Sequence, residues 1–273
     1  MNRYVDSGIP VILGLNLGED IGHAVVASGQ VFGVAPQADQ LPTNPTRAEF
    51  CSAFYVNDDQ QGPNLRMQLK APASHGETDY SVEDVTFLII PLPDKVFVPA
   101  EKAEAFAWDL LRTHGTQWEN LKADYANDLG TSVGVGDVFV EALNDNTVIA
   151  RTYLTYGWKY KHRLLRNRLK DPVHEAARAT ELPRYVWVTE FGTLASFSEP
   201  KFQRRIFAHC VVDATAKSMG DDSRLFFHAP GIVISRVHDA ANPNGPYTQH
   251  TIVIEDDQAY YPKLRGNLDF AGY

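Results

Sequence analysis

The chain has 273 residues, 25 Lys+Arg against 34 Asp+Glu, a formal net charge of −9, and 44% hydrophobic and 22% charged residues. This is an ordinary globular composition, long enough for one large domain or two modest ones. The negative balance argues against nucleic acid and anionic membranes as partners. No apolar run reaches the ~20 residues of a membrane span, and no signal-peptide layout is present. Cys51 and Cys210 are the only cysteines, too few for a disulfide framework or a four-thiolate zinc site. The expectation is a cytoplasmic protein with no cofactor.

In chain order, "PVILGL" (10–15) reads as a buried strand, "HAVVAS" (23–28) as a second, and "QVFGV" (30–34) as its continuation or hairpin partner across Gly29. Residues 35–47 are a proline-rich polar loop. "CSAFYVNDDQQGP" (51–63) is a strand breaking into an acidic turn, "LRMQLK" (65–70) pairs back on it, "ASHGETDYS" is loop, and "VTFLIIPL" (85–92) is another buried strand. A helix follows over 99–115, with proline and acids at its start, glycine at its end, and Ala103, Ala107, Leu110 and Leu111 in one stripe. A second helix covers 117–129. Helices over 157–170 and 172–182, strands over 184–191, 203–216 and 224–237, and a loop over 238–250 complete the second portion.

Candidate chemistry begins at His23, which follows Gly22 and opens a strand. Asp58 closes a later one. Antiparallel neighbours bring the start of one strand beside the end of the other, so this carboxylate could bond the imidazole and orient it as a general base. Neither thiol completes a triad. Cys51 stands at the far end of the same strand, ~23 Å from Asp58 at ~3.3 Å per residue. Cys210, in "IFAHCVVDA", reads as a buried inert thiol.

Other signals are weaker. "HEAAR" (174–178) puts Arg178 where a zinc-protease helix needs its second histidine, and "GTSVGVGD" (130–137) lacks the Gly-Lys-Ser/Thr of a phosphate cradle. Asp58 and Asp59 followed by Gln60 could hold a hard cation, though such a turn is ordinarily solvated. The basic run "KYKHRLLRNRLK" (159–170) is expected to pair with the surplus acids rather than dock a partner. Glu190 and Asp213 are expected to pair with an arginine, Arg151 or Arg205, rather than with each other.

The ordered trio "GIPVILGL", "GHAVVASGQVFG" and "AFYVNDDQQGP" resembles the His-to-Asp half of papain-like cysteine peptidases, in particular the bacterial double-glycine leader peptidases. The resemblance spans residues 4–70. It implies that His23 is the catalytic base and Asp58 the orienting acid, with Asn57 and Asp59 as near alternatives. In that family the nucleophilic cysteine and an oxyanion-hole glutamine lie upstream of the first of these strands, where this sequence has only "MNRYVDS".

The expectation is therefore an α+β chain, with a papain-like β-rich half over 1–95 and a mixed α/β portion over 96–273. The implied function is that of a cysteine-peptidase-related protein without its nucleophile lobe, inactive as this chain alone. The alternative is a non-catalytic binding or scaffold protein on the same core. The partners implied are a peptide or protein substrate if active, and self-association or a second chain on the apolar face left by the missing lobe.

Overall fold

A computed structural model describes residues 1–18, 22–33, 35–70, 77–130, 132–166, 171–199, 205–238, 247–255 and 261–262. They form two compact units, one from 1–36 and 48–94, the other from 37–47 and 95–262. Helices and antiparallel strands are both present, so the class is α+β. Among the described residues no helix is long and apolar enough to cross a membrane.

The first unit comprises α1 (Asn2–Asp6), β1 (Val11–Asn16), β2 (Gly22–Phe32), β3 (Cys51–Asp58), β4 (Gly62–Gln68) and β5 (Val85–Ile89). The five strands form one antiparallel sheet in the order β4-β3-β2-β1-β5. Val11, Leu13, Leu15, Val25, Ala27, Phe54 and Val56 share one face by register and are buried, the period-two pattern of a half-buried sheet. The segments expected on either side of Gly29 form one continuous β2, with a bulge between Ala27 and Gly29. Gly14 is required on β1: a Cβ there would stand 2.1 Å from Cε1 of Phe87.

β5 departs from the expected buried strand. It is a sheet edge, paired among the described residues with β1 alone, and Phe87, Leu88 and Ile89 are 55%, 42% and 52% exposed. An apolar run signals a strand but carries no information on whether neighbours cover it.

The second unit comprises α2 (Ala100–Asp124), α3 (Ala126–Leu129), α4 (Ser132–Asn144), β6 (Val148–Tyr156), α5 (Gly157–Arg166), α6 (Asp171–Ala179), β7 (Tyr185–Thr193), α7 (Leu194–Ser198), β8 (Arg205–Ile206), β9 (Ala208–Asp213), β10 (Arg224–Ala229), β11 (Ile232–Val237), β12 (Thr248–Val253) and β13 (Tyr261–Pro262). Its main sheet runs β12-β11-β10-β9-β7-β6, and β8 pairs with β13. The helix expected to end at Gly115 runs on to Asp124, because that glycine serves packing. A Cβ on it would stand 2.6 Å from Cδ2 of Leu143 on α4. Gly136 likewise lies against the Trp118 indole, so this glycine of "GTSVGVGD" belongs to a close α2–α4 contact. The strand expected over 224–237 is the β10–β11 hairpin, turned at Gly231 with φ +79°. Residues 248–250, expected in a loop, belong to β12. Residues 37–47 join this unit through a Thr46–Ala150 bridge and the Arg112 guanidinium, whose Nε donates to Asn44 Oδ1 at 2.8 Å.

Register also aligns a polar row across the main sheet: Arg151 opposite Glu190, Glu190 opposite His209, His209 opposite His228. Arg151 Nη1 lies 3.5 Å from Glu190 Oε2, and the Tyr153 hydroxyl donates to Glu190 Oε1 at 2.9 Å. His114, from α2, is buried edge-on to Trp118 and Phe227. Burial pushes its imidazole down to about 4, against the opposing pull of a hydrogen bond to the Pro230 carbonyl. Burial pushes His209 down as well, with His228 adding to the effect.

A histidine held below its ordinary 6.5 takes up a proton in the unfolded chain before the folded one. Stability is therefore full above that value and falls as pH drops toward 4, by about 3 kcal/mol for His114. Urea unfolding near neutrality and at pH about 4.5 is expected to show this loss, and to show a smaller one in His114→Phe. An equal loss in the variant would remove His114 from the account.

Candidate active site

Asp58 ends β3 and starts the turn into β4, and its side chain is fully buried. Oδ1 accepts the Gln60 amide at 2.8 Å and the Gln61 amide at 3.0 Å. Oδ2 accepts the Tyr80 hydroxyl at 2.6 Å. Tyr80 is itself buried, on a segment pinned by Thr78 Oγ1 donating to the Tyr80 carbonyl and by the Ser81–Asp84 capping box. Burial pushes the Asp58 carboxyl up, but the bonds from Tyr80, Gln60 and Gln61, with the adjacent His23, outweigh it and hold it down at about 2. Burial, then the Asp58 charge, pushes the Tyr80 phenol well above its ordinary value, so it stays a donor.

His23 opens β2. The β2–β3 register pairs Val26 with Asn57, which carries Asp58 opposite Val25 and onto the face that His23 shares. His23 Nε2 lies 3.1 Å from Asp58 Oδ2, and the imidazole side chain is 10% exposed. Tyr80 meets the ring edge-on, centroids 6.2 Å apart. The contact is electrostatic in character: Nε2 is buried and makes no hydrogen bond of acceptable angle.

Of the four residues singled out in the sequence, three come together. Ligand atoms of His23, Asp58 and Asp59 lie within 4.8 Å of one another, the only such group among the described residues. Asn57 does not join them. As the neighbour of Asp58 on a strand it faces the other way, with Nδ2 donating to Ser28 Oγ at 3.4 Å and Oδ1 accepting the Asn64 amide at 3.0 Å. Sequence reasoning missed Tyr80, which lay in a stretch read only as loop. The sole signal there was an aromatic residue amid polar ones, just ahead of a capping pattern.

Cys51 does not reach the pair. Cys51 is at the opposite end of β3, buried, with its thiol toward the Ala53 carbonyl. Cys210 is on β9 in the other unit, where burial pushes its thiol up to about 12, only partly offset by Arg224, and a thiol so placed is a poor nucleophile. Glu190 pairs with Arg151 as expected, while Asp213 accepts the amide and hydroxyl of Thr215. Lys161 donates to the carbonyls of Arg178 and Thr180 at 2.6 and 2.9 Å, and Lys159 lies over the Tyr156 and Trp158 rings. Residues 167–170 of the basic run fall outside the described residues.

Asp58, held below its ordinary 3.8, contributes stability that is full above that value and lost as pH falls through about 2. Tyr80→Phe removes one of its donors. The variant is expected to lose about 1–2 kcal/mol, and its Asp58 carboxyl, followed by carbon NMR, to titrate nearer 3.8. An unmoved titration would show that Tyr80 does not hold the anion. No protein-family model, curated protein or solved structure matches this chain, so any functional reading rests on its own residues.

Proposed function

We propose that the first unit is the histidine–aspartate half of a papain-like cysteine-peptidase-related protein, with His23 as general base, Asp58 as orienting acid and Tyr80 as the residue that positions Asp58. The observation that carries this reading is the 3.1 Å approach of His23 Nε2 to a buried, ionised Asp58. An anion on the Nε2 side favours the tautomer with its proton there and leaves the Nδ1 lone pair as acceptor. Nδ1 takes the proton of a thiol as its sulfur attacks a peptide carbonyl. The imidazolium, stabilised by Asp58, then returns that proton to the leaving amine.

On this reading the thiol is one that neither Cys51, at the far end of β3, nor the buried Cys210 of β9 supplies. The open apolar edge at Phe87, Leu88 and Ile89 is the kind of surface a segment carrying that thiol would cover. A second reading, a non-catalytic binding protein on this core, is favoured by the place of Cys51 at the far end of β3 from Asp58 and by the burial of the Cys210 thiol. An in-frame upstream sequence encoding Gln and then Cys at a helix start would support the peptidase. A stop codon there, just ahead of a ribosome-binding site, would support the binding protein.

Nitrogen NMR of the His23 ring is expected to show the Nε2–H tautomer in the wild type and a mixture in Asp58→Asn. A dominant Nδ1–H tautomer in the wild type would refute the base assignment. The isolated chain is expected to leave casein intact, and hydrolysis blocked by iodoacetamide and lost in His23→Ala would overturn its inactivity.

A further inference from the structure

The dyad has two features that orientation of a base does not require. The first is Asp59, an exposed carboxylate in the turn, whose ligand atom lies with those of His23 and Asp58 inside a 4.8 Å cluster. The second is the geometry at Nε2. That nitrogen is buried in a side chain nine-tenths covered, 3.1 Å from Asp58 Oδ2, with no hydrogen bond of acceptable angle.

Two adjacent ligands of one tetrahedral cation, each bound at about 2.0–2.2 Å, stand about 3.3–3.6 Å apart, with their lone pairs converging off the line between them. The His23–Asp58 pair, misaligned at 3.1 Å, needs only a small outward shift to reach that separation. Asp58 can take part: Oδ1 is saturated by two amides, but Oδ2 accepts only Tyr80 and keeps a lone pair on the side of His23.

We propose that His23, Asp58 and Asp59 form a binding site for a divalent cation of borderline softness, of the Zn2+ class, with water completing the coordination. One imidazole with two carboxylates suits such an ion better than a hard one, which prefers oxygen throughout. The site stands on the geometry. Its consequence rests on the peptidase reading: a neutral imidazole carries one proton, so an Nε2 that gives its lone pair to a cation must carry that proton on Nδ1. The nitrogen that would accept the thiol proton is then already protonated. Cation binding and base function exclude one another, and the ion holds the dyad inactive until it is withdrawn.

The test is Zn2+ titration of the chelator-treated full chain by calorimetry near neutral pH. The chain carries nine histidines, so the comparison with Asp59→Asn and His23→Gln is the readout. Asp59 is exposed and its variant keeps the fold. The expected result is one site lost or weakened at least about tenfold in both variants, with the His23 ring proton moving to Nδ1 when Zn2+ is added to the wild type. Unchanged affinity in Asp59→Asn, or no uptake at millimolar Zn2+, would overturn the cation site. Neither result touches the metal-free tautomer of His23, which decides the peptidase reading separately.

Discussion

A single buried anion organises the first unit. The Asp58 carboxylate sits at the end of a strand with its side chain out of water, a placement that would cost several kcal/mol if its oxygens were unanswered. They are answered by groups from separate parts of the chain. The turn contributes two amides, the segment ahead of β5 contributes the Tyr80 hydroxyl, and β2 brings the His23 imidazole. The anion thus ties the β3–β4 hairpin, the approach to β5 and the start of β2 to one point. The pull of these donors exceeds the opposing effect of burial, and the group stays ionised well into acid.

Much of this was legible because strands have ends. His23 at the start of one apolar alternation and Asp58 at the close of another are brought together by the simplest antiparallel pairing, and the register delivers it. The same alternation separates Asn57 from Asp58, a distinction that parity along the strand already contains. Tyr80 was not legible, because its role depends on a contact across 22 residues of sequence within a stretch whose composition says only loop. The exposure of β5 was hidden for a related reason: hydrophobicity records what a strand would bury, and the described elements of its unit leave it open. In the second unit, Gly115 looked like a helix stop and Gly136 like part of an incomplete phosphate cradle. They are close-packing positions against Leu143 and Trp118, which only the partner helix reveals.

The second unit shows the opposite use of polar groups. Its row of Arg151, Glu190, His209 and His228 is set by register alone, each residue directly opposite the next. A buried ion pair of this kind adds little net stability over an apolar equivalent, but losing one member leaves the other charge uncompensated. His209 avoids that cost by staying neutral, as burial dictates.

The turn between β3 and β4 has a consequence for how this chain can vary. Residues 59–61 are exposed and polar, outwardly the sort of loop tip where insertions are ordinarily absorbed. Yet the Gln60 and Gln61 amides that close the turn are also the groups that hold Asp58 Oδ1. Turn length and the position of the acid are therefore one variable. A residue added here would lengthen a harmless-looking loop and, in the same act, release the carboxylate from the imidazole. This exposed turn therefore has little freedom to drift.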